Sequence, residues 1–492
     1  MKKKYKIYNA WTKVISGCIS FLNPVKAVQY RTNRNFYISY IAASQKGPYK
    51  NWRPKVQSGD DEYKKDYKLI LARARDLARN NANISGAIDK ICKNVIREGL
   101  RPQVQIRDKN NKLNDKLNQR IENVFKEWSR LKICDYDGHD TFYSLQKLVL
   151  RHLWIDGECF IRKMYDSSLI AYGIVPLRLQ IIETEMLDQS VNGMLKNGNE
   201  AKKGIEFNKK GQVIAYHFYS SHPKVFYPNK TVRISASDII HVFEKKRASM
   251  TRGLSSLVPI IMDMYDLGEY QLYERIGAKV AAAFGVFIKT NLPEVMNNPL
   301  GLKNSEIGKL PDYIEPGRIQ TLPVGTEIQI ASHKRPGDTY KPYVSQCLKS
   351  ASAGIGISYS SFSNDYTDSS YASERSATLE ERLRYQELQN IISEKFNDPV
   401  WAWFMDSLYL SSLIVLPDYY NKRFLYPLFV NWLKPGWSWV DPLKDSRAAE
   451  IEIKNKINTR KNILSQKGLD YDEILEQIDK EDKDFKEYEN DK

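Results

Sequence analysis

The sequence predicts an α+β protein, with helical stretches on both sides of a strand-rich middle. Three patterns carry this. Apolar residues recur at helical spacing over 69–95. They alternate at period two in Ile205–Phe207 and Val213–Phe218. A long helical stripe resumes at Leu257 and is followed by a proline-rich break and more helix.

Taken in order, residues 1–60 read as an extended or partly helical arm ending in a loop with Gly47, Pro48, Pro54 and Gly59. Leu69, Ala72, Leu77, Ile84, Ile88, Ile91 and Val95 form a helical stripe interrupted near Asn80–Asn83 and closed by Gly99 and Pro102. Ile121–Trp128 and Leu145–Ile155 are further helices. A turn at Asn208–Gly211 makes its two alternating flanks a hairpin, and Val232–Ile234 and Ile239–Phe243 read as strands. Leu257, Ile260, Ile261, Met264, Leu267, Leu272, Ile276, Val280 and Ala283 mark one long helix. Pro293, Pro299, Pro311, Pro316, Pro323 and Pro336 then break the chain into short strand-like runs, among them Ile319–Leu322 and Glu327–Ile330. Tyr340–Ile357 is helical, Ser358–Ser370 a polar loop, and Ser373–Trp403 a long helix with Glu380 and Arg384 at supporting i,i+4 spacing. The remainder is helical: Asp441 and Pro442 suit a cap and first turn, and Asp470 with Glu473 resembles a capping box.

Of 492 residues 42% are hydrophobic, which supports a real core, and the net charge of +16 points to a polyanionic partner, nucleic acid first. The five cysteines (18, 92, 134, 159, 347) are dispersed and form no CxxC, which fits a reducing cytoplasm rather than a disulfide framework. Val14–Leu22 is diluted by Ser16, Gly17 and Ser20 and reads as an amphipathic arm, not a secretion signal. No run approaches the ~18 apolar residues of a membrane span.

Five segments, in order, resemble the lambda-type phage portal family. They are residues 72–103 (ARARDLARNNANISGAIDKICKNVIREGLRPQ), the run at Trp154, Asp156, Gly157 and Glu158 with 179–187 and 204–219, residues 232–261 with His241, Arg247, Arg252 and Gly253, residues 356–381, and residues 436–455. The resemblance implies a portal fold assembled as a ring, dodecameric in the virion. By element order, residues 1–60 would be an arm, 61–253 an α/β wing, 254–285 the first stem helix and 286–337 a β-rich clip. Residues 338–357 would be the second stem helix, 358–372 the tunnel loop, 373–439 the long wing helix with its following segment, and 440–492 a helical crown with a mixed-charge tail.

The resemblance further implies a structural subunit, not an enzyme, with no cofactor or metal. It would line the channel at one capsid vertex through which double-stranded DNA is packaged and ejected. Expected partners are further copies of itself, DNA read without sequence, the terminase large subunit, scaffold, major capsid protein and head-completion or connector proteins. The expected location is the virion, with host cytoplasm during assembly. In the tunnel loop, Asn364, Asp365, Tyr366, Tyr371, Ser373 and Arg375 are the candidates for touching a sliding duplex through hydrogen bonds and stacking. Family members commonly read DYS–NYSSxR here, and Thr367, Ser370 and Ala372 depart from it. Asp263, Asp266, Glu269 and Glu274 on the first stem helix either present a repulsive wall to DNA or simply face solvent or pair with Arg275 and Lys279. Arg247 and Arg252 either bridge subunits, cap the stem helix, or lie on the surface.

An enzyme is the competing reading. Asp135, Asp137, His139 and Asp140 could form a metal-binding loop of a nucleic-acid-processing enzyme, although Asp and Gly at this density favour a turn. Gly193–Gly198 has P-loop glycine spacing, but Asn199-Glu200 stands where Lys-Ser/Thr is required.

Overall fold

One residue, Asn81, separates the first two helices of the main body. Its side chain accepts a hydrogen bond from the Ile84 amide at 3.1 Å, ending α1 (Tyr67–Asn80) and starting α2 (Ala82–Ile96). The computed structural model describes Asn51 and residues from Pro54 onward, apart from 109, 224–229, 284–285, 291–325, 331–336, 368, 438–441, 470 and 491–492. Two units divide at Glu62/Tyr63. In the first, the Ser58 hydroxyl accepts from the Asp61 amide at 3.2 Å, and Gly59–Glu62 makes one helical turn. Residues 1–50, 52 and 53 of the expected arm, with Cys18, lie outside the described residues.

In the second unit, β1 (Arg101–Val104), α3 (Asp115–Trp128) and α4 (Phe142–Ile155) follow. α4 opens on a capping box between Thr141 and Ser144. An antiparallel sheet in the order β3-β2-β9 is built from β2 (Glu158–Tyr165), β3 (Leu177–Ile182) and β9 (Ile239–Phe243). Between β3 and β9 runs a five-stranded meander: β4 (Gly193–Met194), β5 (Glu200–Lys202), β6 (Ile205–Phe207), β7 (Val213–Tyr219) and β8 (Thr231–Ser235). The Asn208–Gly211 hairpin is present, with a register shift at Glu206/Phe207.

The long helix α5 (Ile261–Ala283) starts seven residues after the expected Leu254. The intervening chain is an irregular turn that ends in the 3₁₀ segment Val258–Ile260 around Pro259. β10 (Val286–Thr290) and β11 (Thr326–Ile330) pair antiparallel, Val286 opposite Ile330. The remainder of the expected clip, including Ile319–Leu322, lies outside the described residues. α6 (Tyr340–Ile355) returns along α5, with the Tyr270 ring 5.9 Å from Tyr340 and 4.9 Å from Tyr343.

The expected polar loop at 358–370 is half helix. Ser358 accepts from the Ser361 amide and caps α7 (Tyr359–Ser363), whose Phe362 is buried. α8 (Tyr371–Ile392) continues through a π-helical turn, Ser393–Asn397, into α9 (Asp398–Leu410). Arg384 pairs with Glu387 at 2.6 Å, not with Glu380. β12 (Val430–Leu433) pairs with β1. The C-terminal helices are α10 (Pro442–Lys454), α11 (Arg460–Gln466) and α12 (Tyr471–Asn490). Asp441 and Asp470, expected as caps, lie outside the described residues.

The core is knit by aromatic rings distant in sequence. Phe125 packs edge-on to Phe404 at 5.0 Å, and Phe142 stacks on Phe396 at 5.6 Å, with Trp128, Trp401 and Trp432 around them. The α1 stripe is rotated from the expected one. Leu69 and Ala72 face outward, while Tyr67, Leu71, Ala74, Leu77 and Ala78 are buried, because the aromatic Tyr67 anchors the inner face. No described helix is long and apolar enough to cross a membrane.

Candidate functional site

Glu158 is a carboxylate opening an apolar strand. An isolated acid in such a run is a sequence signal for a buried partner. Here that partner is Arg252, wholly buried, whose Nε donates to Glu158 Oε1 at 2.6 Å. The Tyr67 hydroxyl donates to the same oxygen at 2.8 Å. On the other oxygen, the Gly253 amide donates at 2.9 Å and His241 Nε2 lies at 3.0 Å. Burial alone would raise the Glu158 carboxyl, but the Arg252 charge and the His241 hydrogen bond hold it well below the usual carboxylate range. Burial pushes the His241 imidazole down, against the pull of Glu158.

Two glycines bring the backbones together beside this pair. Gly157 has φ +88°, and a Cβ there would overlap the Leu254 backbone; a Cβ at Gly253 would overlap the Gly157 carbonyl. Next to them Arg75 forks onto Asp156 at 2.8 and 2.9 Å and onto Glu185 at 2.5 and 2.7 Å, and His152 Nδ1 lies 2.8 Å from Asp156. Residues from four separated stretches of sequence thus meet where the sheet joins the chain leading into α5.

This burial corrects the expectation for Arg252. It neither bridges subunits nor lies on the surface, because Glu158 draws it into the core. Arg247 is exposed.

Asn364 ends α7 in the left-handed conformation at φ +57° and accepts from Lys90 Nζ, which also donates to the Ser361 carbonyl at 2.6 Å. Asp365 accepts from the Thr367 amide and hydroxyl at 3.1 and 2.6 Å and from the Tyr359 hydroxyl at 3.1 Å. The Thr367 bond comes first among the causes that lower its carboxyl. Ser373 exchanges hydrogen bonds with Ser370 in the box that caps α8. Arg375 pairs with Asp445 of α10 at 3.3 Å. These four side chains hold the loop in shape. Tyr366 and Tyr371 stand 55% and 61% exposed.

The four acids of α5 do not share one face. At ~100° per residue, Asp263, Asp266 and Glu274 fall within one arc, and Glu269 lies on another side of the helix. Asp263 and Asp266 are exposed, and among the described residues neither they nor Glu269 pair with Arg275 or Lys279.

The Asp135 cluster is a turn. Asp135 Oδ2 accepts from the His139 and Asp140 amides at 2.8 and 3.1 Å, and its side chain is buried. Among the described residues, the group with metal-ligand spacing is instead Glu183, Glu185 and His222, within 4.8 Å of one another. Arg75 already holds both oxygens of Glu185, so this group completes an ion-pair network. The glycines at 193 and 198 belong to the β4–β5 hairpin, with no helix to receive a phosphate.

Comparison with known sequences decides the family. Residues 45–389 match the model of the phage portal protein, lambda family. The chain belongs to that family. It is 27% identical over 446 residues to a probable portal protein of Halomonas phage phiHAP-1, covering 89% of this chain and 84% of that protein. To portal protein B of Escherichia phage lambda it is 21% identical over 467 residues, covering 88% and 86%. The portal protein of Escherichia phage N15 is also 21% identical. Among solved structures, a chain from the neck of an empty gene transfer agent particle aligns at TM-score 0.48 and 12% identity, covering 85% of this chain and 95% of that one. This portal chain is therefore a structural, non-enzymatic component of the capsid vertex of a phage particle, and works as an oligomer with the capsid.

Proposed function

We propose that copies of this chain form a ring, dodecameric in the virion, whose channel passes double-stranded DNA inward during packaging and outward at ejection. Terminase large subunit, scaffold, major capsid protein and head-completion or connector proteins dock on it, with assembly in the host cytoplasm. The wing comprises 61–253, the stem α5 and α6, the clip the segment between them, the crown 440–492.

A gateway must let the duplex slide, and every neutralised phosphate adds grip through counterion release. Aromatic hydroxyls on a held loop touch a backbone without clamping it. The observation that carries this reading is the contrast within the loop: Tyr366 and Tyr371 project into solvent from a segment whose Asn364, Asp365, Ser373 and Arg375 are engaged at its base. Asp263, Asp266 and Glu274 supply repulsion along the stem.

The test is a particle in which Asp365–Tyr371 are replaced by a short Gly/Ser linker. Rings are expected to assemble, and packaged DNA to leak when terminase detaches. Normal packaging and retention by this variant would remove the loop from the DNA path.

A further inference from the structure

α5 is a three-sided helix. Ile261, Met264 and Leu267 form one side, buried against the helices of its own chain. Asp263, Asp266 and Glu274 form a second, about a third of a turn away. The third consists of Met262, Tyr265, Leu272 and Ile276, all within an arc of ~80°. These four are 40–55% exposed, and half-buried Glu269 sits among them. The two apolar sides adjoin, Ile261 and Leu272 lying only ~20° apart around the axis, and a helix with so wide an apolar stripe is one made to be covered beyond the part its own chain reaches.

The helix beside it offers the matching charge. α6 contains Lys341 and Lys349 and no carboxylate, and its outward side carries Gln346, Lys349, Ser350 and Ala353, all exposed. Among the described residues no ion pair joins Asp263, Asp266 or Glu269 to Lys341 or Lys349. Within one copy Glu269 and Lys349 therefore form no ion pair, and the Lys349 ammonium lies over the Tyr359 ring at 5.3 Å. The levels of the two helices are fixed by the packing: Gly354 lies against Ile260, and Tyr270 against Tyr340 and Tyr343, so Lys349 stands near the level of Met264–Tyr265, about one helical turn from Glu269 and within the span of two long side chains. A rotation axis running along the helix pair preserves that level from copy to copy. A closing ring joins two different surfaces of identical subunits.

We propose that the Met262–Tyr265–Leu272–Ile276 side of α5 seats on the outward side of α6 of the next copy, with Glu269 facing Lys349 of that copy. This rests on the portal reading and names the surfaces that close its ring. Glu269 is thereby removed from the channel wall and assigned to the seam.

Two measurements on the full-length chain test it. Glu269→Lys and Lys349→Glu are each expected to cut the ring fraction at least tenfold by light-scattering mass and negative-stain microscopy, leaving the monomer's circular dichroism and melting unchanged. The double reversal restores rings. Independently, Tyr265→Cys with Ser350→Cys, treated with a short bis-maleimide, should give a ladder of covalent oligomers that neither single variant gives. Rings that tolerate both reversals, or that form without a ladder from the double-cysteine chain, overturn the seam while leaving the portal reading intact. A wild-type chain that stays monomeric both alone and with scaffolding protein overturns the portal reading itself.

Discussion

Arg252 reaches Glu158 inside the protein from the far end of the β9 segment, its Nε 2.6 Å from Oε1, and neither side chain touches solvent appreciably. Removing one partner of a buried pair strands the other charge and costs about 3–5 kcal/mol. Arg252→Met or Glu158→Gln alone is expected to lower the unfolding free energy in urea by that order or to yield insoluble chain. Arg252→Met with Glu158→Gln should lose less than the sum of the singles. Additive losses in a double-mutant cycle would mean that the pair is not coupled.

The glycine contact beside it is steric. Gly253→Ala pushes a methyl into the Gly157 carbonyl, and Gly157→Ala adds positive-φ strain to its overlap with Leu254. Each is expected to cost about 2 kcal/mol or more in thermal or urea unfolding. Gly211→Ala, also at positive φ but with open space around it, serves as the milder reference.

Glu206 gives stability a pH dependence. Its carboxyl is held at about 2, chiefly by the Arg233 hydrogen bond acting against burial, with Asn199, Asn197 and His217 assisting. The unfolded chain's glutamates titrate near ~4.3. A value depressed by folding adds stability that is complete above the unfolded value and is lost as pH falls from there toward 2. Urea midpoints at pH 6 and pH 3 should differ more for the wild type than for Glu206→Gln. Equal slopes would dismiss the assignment.

Lys90 ties down the base of the loop after α7. Lys90→Met is expected to speed limited proteolysis between Ser363 and Ser370 without moving the melting temperature by more than ~2 °C, since the contact is partly exposed. Tyr366→Ala and Tyr371→Ala should leave proteolysis unchanged and alter only DNA retention.

Much of the fold was legible because its elements carry local signals. Apolar alternation and the Asn208–Gly211 turn mark the meander, and Gly99 with Pro102 marks the end of α2. What escaped was set at long range. Arg252 sits in the run KKRASMTRG, which looks like surface until Glu158 supplies a partner ninety-four residues away. Ser358–Ser370 has the composition of a loop, yet Ser358 caps a helical turn that Phe362 pins to the core. The loop candidates Asn364, Asp365, Ser373 and Arg375 were named by resemblance, and their bonds to Lys90, Thr367, Ser370 and Asp445 depend on folded geometry. The α5 acids were in view, but their division between two sides of the helix follows only once it is known which side its own chain covers.

The pairing of Arg101–Val104 with Val430–Leu433, and of Phe125 with Phe404, has a consequence for how the protein comes into being. The core cannot close until the ribosome has delivered about three hundred further residues. Until then α3 and α4 present Phe125, Trp128 and Phe142 to whatever is nearby. A nascent chain stalled anywhere before β12 is therefore a sticky, unfinished object. Strand β12 acts as a completion check, so a subunit truncated upstream of it would be lost to aggregation or proteolysis before it could join and spoil an assembly.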